Sequence, residues 1–126
     1  MAKGFVIAAP RSGSGKTTLT LGLVAALRRL GHGVQPAKSG PDYIDTSILS
    51  RVAGRPAMNL DAWAMAPERL RGLAASDADL LIVEGAMGLF DGAADGAGST
   101  GDVAAALGLP VILVVDAEKQ SQSIAP

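Results

Sequence analysis

An α/β fold, a mostly parallel sheet with helices on both faces, is predicted by the order of the apolar runs in this 126-residue chain. Three observations lead there. Short strand-like runs at residues 4–9, 34–38, 80–83 and 111–115 alternate with stretches of helical periodicity. A glycine-rich turn, Ser12-Gly13-Ser14-Gly15-Lys16-Thr17-Thr18, joins the first run to the first helix. Each polar cluster follows a strand directly, and open α/β sheets bind ligands outside the carboxyl ends of their strands.

The elements follow in order. Residues 4–9 are continuously apolar, as in a strand buried on both faces. A helix over about 16–30 carries Leu19, Leu23, Leu27 and Leu30 at helical spacing, with Arg28 and Arg29 in its last turn and Gly31 ending it. Residues 34–38 read as the second strand and 39–45 as a polar loop. A short helix over about 46–53 stops at Gly54, and 55–64 reads as irregular. Pro67 suits the first turn of a helix reaching about residue 75. Residues 80–83 form the third strand, ending in Glu84, and 85–98 form a glycine-rich loop. Ser99 caps a helix to about 107, residues 111–115 form the fourth strand, and 120–125 begin another helix. The expected strand order is 2-3-1-4, which leaves the fourth strand at an edge. Its run Val111-Ile112-Leu113-Val114-Val115 is uncharged, so a dimer through that edge, aggregation or only marginal stability is expected.

The turn at 12–18 is a phosphate-binding loop, and the fold is P-loop NTPase-like. Glycines let backbone N–H groups close on phosphate oxygens without intervening Cβ atoms. Lys16 serves the β- and γ-phosphates of ATP, and Thr17 offers a hydroxyl to Mg²⁺. Arg11, Ser12, Gly13, Ser14, Gly15, Lys16, Thr17 and Thr18 are the nucleotide contacts. The usual spacing places glycine where Pro10 stands, and Arg11 occupies a position that one class of these loops fills with lysine.

Composition agrees with a soluble enzyme domain. The chain is 48% hydrophobic and 18% charged, with a net charge of −1 that suggests neither a nucleic-acid nor an acidic-membrane surface. The first apolar run is too short for a secretory core or a membrane span. Cysteine is absent, which excludes thiolate chemistry within these residues and fits the cytoplasm.

Carboxylates beside a triphosphate are unfavourable unless a cation lies between them, so Asp42, Asp45, Glu84 and Asp91 point to metal or substrate. Glu84 ends an apolar strand like a Walker B acid and is the leading metal candidate, with Thr17 and Asp45 beside it. Asp45 equally suits a helix cap, and Asp42 and Asp91 equally suit turns. Lys38 ends a strand at the phosphate edge, where an anion is its natural partner, the alternative being a surface lysine that snorkels to solvent. Lys16, Lys38, Asp42, Asp45 and Asp91 are the candidate catalytic residues.

Two strings carry a specific resemblance: Val34-Gln35-Pro36-Ala37-Lys38-Ser39-Gly40-Pro41-Asp42-Tyr43-Ile44-Asp45 and Glu84-Gly85-Ala86-Met87-Gly88-Leu89-Phe90-Asp91-Gly92. With Asn59-Leu60-Asp61, Gly98-Ser99-Thr100 and Val115-Asp116-Ala117 following in order, the chain resembles the cobyrinic acid a,c-diamide synthase family over essentially its whole length. The wider superfamily includes dethiobiotin synthetase and the chromosome-partitioning and septum-positioning ATPases. The resemblance implies an ATP-dependent ligase of corrin (cobalamin) biosynthesis. It phosphorylates the a and c carboxylates of a tetrapyrrole polycarboxylate, cobyrinic or hydrogenobyrinic acid, and ammonia from glutamine displaces the phosphate. It also implies a longer protein, in which residues 1–126 are the N-terminal part of the synthetase domain, truncated before its last strands, and a C-terminal glutaminase domain supplies a cysteine nucleophile. Two other readings stay open: a dethiobiotin synthetase-like carboxylate-activating ligase, which needs no glutaminase, and a partitioning-type switch ATPase, which prefers lysine where Arg11 stands.

Overall fold

The computed structural model describes residues 3–11, 13–40, 44–92 and 98–118. Elements run β1 (Gly4–Ala9), α1 (Lys16–Arg29), β2 (Val34–Ser39), α2 (Ile44–Ala53), β3 (Met58–Leu60), α3 (Pro67–Ala74), β4 (Leu80–Met87), α4 (Thr100–Leu107) and β5 (Val111–Leu113). Among the described residues the strands form one sheet in the order β3-β2-β4-β1-β5, and every pairing is parallel.

Side-chain alternation along the strands divides the core into two layers. Val6, Ala37, Leu81 and Val83 pack against Leu70 and Ala74 of α3 and Val103, Ala104 and Leu107 of α4. Ile7, Val34 and Ile82 point the other way, onto Val24 of α1 and Ala53 of α2. Val6, Ile7, Val24, Val34, Ile82 and Val83 are fully buried or nearly so, each contributing about 1.5–3 kcal/mol by leaving water. The doubly covered sheet accounts for the continuously apolar β1.

Four details differ from the sequence expectation. The stretch 55–64 contains β3, which pairs with β2 from Ala37↔Met58 to Ser39↔Leu60 and forms the second edge of the sheet. β4 runs on to Met87, so Glu84 sits inside the strand rather than at its end. β5 stops at Leu113, where its pairing with Ala8 of β1 ends. On α1 the buried side chains are Thr20 and Val24, with Leu23 and Leu27 packed beside them, whereas Leu19 and Leu30 face solvent. The expected helix over 120–125 lies outside the described residues, as do Ser12 and Asp42.

The two helix starts on opposite faces are built differently. Ser99 caps α4 through a reciprocal box: its hydroxyl accepts from Asp102 N, and the Asp102 carboxylate accepts from the Ser99 backbone. Those contacts, from the Ser99 backbone first and its side chain second, hold the Asp102 carboxyl below the ordinary value. At α1 the cap is Gly15 in the left-handed region (φ 86°), with no side-chain hydrogen bond to the helix and no acid in the first turn. The amides at that end keep their capacity for an outside anion.

Candidate nucleotide and metal site

The loop between β1 and α1 follows from its glycines. Gly13 and Gly15 have φ of 79° and 86°, a region costly for other residues, and a Cβ built on either meets nothing within 4 Å. Their lack of side chains therefore serves backbone shape and open space rather than tight packing. Arg11, Gly13, Gly15, Lys16, Thr17, Thr18 and Asp45 line one cleft of about 400 Å³. The candidate nucleotide contacts among the described residues thus gather with an acid from α2.

Beneath that cleft the sheet contributes charge. Lys38 of β2 and Glu84 of β4 are register partners, and Ile7 of β1 flanks Glu84 from the other side. Glu84 lies two residues beyond Ile82 and shares its face, the one covered by α1. This register brings the first turn of α1 onto the strand: the Thr17 hydroxyl donates to Glu84 Oε1 at 2.7 Å. Lys38 Nζ lies 3.7 Å from the same oxygen and donates to Asp45 Oδ2 at 3.1 Å. Only 5% of the Lys38 side chain is exposed, so its charge is balanced by neighbouring carboxylates rather than by water.

The backbone of β4 is also part of the site. Ile7 pairs with Glu84 but Ala9 pairs with Met87, so β4 carries one extra residue there, a bulge. The Gly85 carbonyl, inside the bulge, accepts hydrogen bonds from both Lys16 Nζ and Lys38 Nζ, the latter at 3.2 Å. The Cα of Gly85 backs onto α4, where a Cβ would stand 2.6 Å from Thr100 Cγ2. Thr100 Oγ1 accepts from Ala86 N at 3.1 Å and lies 3.4 Å from Ser39 Oγ. Gly85, Thr100 and Ser39 enter the sequence reading only within the strings that carry the resemblance; what places them at the site is the bulge for Gly85 and tertiary packing for Thr100 and Ser39.

The remaining candidates fall nearby. Asp45 lies within the first turn of α2, which begins at Ile44, so it does not precede the helix as a cap would. Arg11 pairs with Asp116 at 3.4 Å, linking the loop after β1 to the segment after β5. Asp91 does not line the P-loop cleft. It lines a second one, of about 290 Å³, with Pro10, Gly88, Leu89, Phe90 and Leu113. Gly88 has φ 78°, and a Cβ there would stand 2.0 Å from Asp91 Oδ2, so the carboxylate folds over the space that this glycine leaves.

The donor set fits Mg²⁺. Glu84 is completely buried, and among the described residues its Oε2 has no hydrogen-bond partner. Leaving such an oxygen dry is unfavourable unless a cation or ordered water meets it. No group of three or more His, Cys, Asp or Glu residues could hold a metal ion among the described residues. Mg²⁺ does not require one, because it usually takes one or two protein oxygens and fills the rest of its shell with phosphate and water. Thr17 and Glu84 supply such oxygens at the P-loop.

Comparison with known proteins identifies the family. The family model described as CbiA, the CobQ/CobB/MinD/ParA nucleotide binding domain, matches residues 5–125. The chain is 58% identical, over 97% of its length, to hydrogenobyrinate a,c-diamide synthase of Rhizobium meliloti (strain 1021), of which it covers 29%. It is 57% identical over 98% of its length to the protein of that name from Brucella anthropi, covering 29% of it. For Rhodobacter capsulatus the figures are 56%, 98% and 30%. The chain therefore spans less than a third of the length of these relatives. With a P-loop, a strand acid meeting its threonine and an all-parallel sheet, it belongs to the CobQ/CobB/MinD/ParA nucleotide-binding domain family.

Proposed function

We propose that this chain is the nucleotide-binding part of an ATP-dependent amidoligase that converts the a and c carboxylates of hydrogenobyrinic or cobyrinic acid to amides. The observation that carries the reading is the buried Glu84, held by Thr17 of the P-loop and lying beside the buried Lys38. High identity to the hydrogenobyrinate a,c-diamide synthases supports the choice of substrate.

The chemistry divides into two steps. A substrate carboxylate oxygen attacks the γ-phosphorus of ATP, the bond to the β-phosphate oxygen breaks, and ADP leaves with that electron pair. Ammonia then adds to the acyl phosphate carbon, inorganic phosphate departs, and a proton is released as the amide forms. A carboxylate is a poor electrophile, and phosphorylation supplies its leaving group. The protein's share is alignment and charge neutralisation. The amides of the loop and the uncapped start of α1 cradle the phosphates. Lys16 exchanges the Gly85 carbonyl for phosphate oxygen. Lys38, anchored by Asp45 and Gly85, presents its charge where the carboxylate and the γ-phosphate meet. Thr17 and Glu84, with Asp45 nearby, would hold Mg²⁺, which when bound offsets phosphate charge. Ammonia comes from glutamine, hydrolysed by a C-terminal domain of the longer protein.

The test uses the full-length protein carrying this segment. ADP formation should depend on added hydrogenobyrinate and a nitrogen donor. Lys16→Ala should abolish it while the far-UV circular dichroism stays unchanged. ATP turnover indifferent to the tetrapyrrole acid, or undiminished in Lys16→Ala, would refute the proposal.

A further inference from the structure

The chain is only 3% aromatic, yet two of its few aromatic side chains are left in water: Trp63 is 64% exposed and Phe90 is 78% exposed. Both are seated on the same stretch of backbone. A Cβ on Gly98 would stand 2.4 Å from Trp63 Cβ, and one on Gly101 would stand 3.4 Å from Phe90 Cδ1. The two glycines thus give close-fitting beds to the two aromatic residues. Asp61 fixes the Trp63 turn by accepting from Trp63 N at 3.0 Å and Ala64 N at 3.3 Å. Leu89 O accepts from Gly101 N at 2.8 Å and fixes the Phe90 segment. Single exposed apolar side chains are common, but two aromatic residues seated on one four-residue stretch of backbone beside the site form a candidate binding surface.

Position names the occupant. Residues 98–101 carry both aromatics, and Thr100 among them packs on Gly85, whose carbonyl receives Lys16 and Lys38. The acceptor carboxylate must reach that lysine pair, and it hangs from its macrocycle by a short side chain. The macrocycle then lies over the carboxyl edge near Gly85, next to the 98–101 stretch on which both aromatic residues are seated. Of the neighbouring acids, Asp61 is turned to the Trp63 turn and Asp102 to Gly98 N at 2.9 Å and Ser99 N at 3.0 Å, while Asp91, which shares the second cleft with Phe90, lies over Gly88. Phe90 also lines the second cleft, which meets the P-loop segment at Pro10.

We propose that Trp63 and Phe90 form an aromatic seat that holds the face of the tetrapyrrole ring while its carboxylate reaches the phosphoryl site. This rests on the amidoligase reading and assigns the ring-binding residues that reading leaves open. The experiment measures amidation by the full-length protein driven by ammonia and, in parallel, by glutamine, so that docking of a glutaminase is read separately. Trp63→Ala and Phe90→Ala should each raise KM for hydrogenobyrinate roughly tenfold, the size of one lost aromatic contact. KM for ATP should stay within about twofold, and Trp63→Phe and Phe90→Tyr should restore most of the affinity. An unchanged KM for the tetrapyrrole overturns the seat. So does a defect confined to glutamine-driven turnover, which would make this surface a protein contact. A wild-type protein that ignores hydrogenobyrinate altogether removes the amidoligase reading beneath it, an outcome separate from inert variants of an active enzyme.

Discussion

Replacing Lys38 by methionine isolates the most heavily buried charge pair of the site. Methionine keeps the apolar stem and deletes the ammonium. Asp45 has 30% of its side chain exposed and regains solvation readily, but Glu84, with 1% exposed, cannot. Its Oε1 would keep the Thr17 hydroxyl, and its Oε2 has no partner among the described residues to begin with. At the observed 3.7 Å, with an effective dielectric of about 20, the lost attraction is about 4.5 kcal/mol. That agrees with the roughly 3–5 kcal/mol typical of breaking one side of a buried pair. With a urea slope of about 1–3 kcal/mol per molar, the unfolding midpoint should fall by roughly 2 M. The assay is urea unfolding of the chain in EDTA, followed by far-UV circular dichroism. The double variant Lys38→Met/Glu84→Gln should recover at least about 2 kcal/mol of the loss, because the stranded charge is then gone. A shift of Lys38→Met below roughly 0.5 M, or a double variant as unstable as the single, would refute this electrostatic account.

Three further outcomes follow from the same geometry. Glu84→Gln in the full-length protein should move the Mg²⁺ titration of turnover to at least about tenfold higher concentration while the protein stays folded, and an unchanged titration would remove Glu84 from the metal site. Ser99→Ala should cost about 1 kcal/mol. The Ser99 backbone N–H first and its hydroxyl second hold the folded-state Asp102 carboxyl below its ordinary value, so its contribution is present above the ordinary carboxylate range and lost as pH falls through the folded value. Ser99→Ala keeps the backbone donor and removes only the hydroxyl, so the variant should show a slightly smaller acid-induced loss of stability than the parent. Ile112, 41% exposed in the edge strand β5, should support self-association of the isolated chain, and Ile112→Lys should give a monomer by sedimentation where the parent does not.

What the sequence made legible were features with local causes. The loop at 12–18 announces itself through glycine and lysine spacing, and Ser99 announces a helix start. The order of β2, β4, β1 and β5 matches the expected 2-3-1-4 because buried parallel strands and converging polar loops constrain it strongly. β3 escaped because Met58-Asn59-Leu60 is too short for any periodicity; only pairing with β2 makes it a strand. From sequence β4 ends at Glu84 because Gly85 and Ala86 look like loop residues, whereas in the fold Ala86 N donates to Thr100 and Met87 resumes the pairing with β1. The partners of Lys38 were equally hidden. Its spacing from Glu84 in the chain carries no information about a register that sets them side by side.

Alternation along β4 has a consequence for how such a chain can vary. Ile82 and Glu84 face α1, whereas Leu81, Val83 and the Gly85 Cα face α3 and α4. A lineage that gained or lost one residue between Leu80 and Val83 would turn the acid toward the wrong helical layer and send apolar side chains into the ATP cleft in the same event. Two residues gained together would preserve the sides but shift the acid along the strand, away from Thr17. Length drift in this domain should therefore accumulate in the connections, while the number of residues from the start of β4 to Glu84 stays constant among functional descendants.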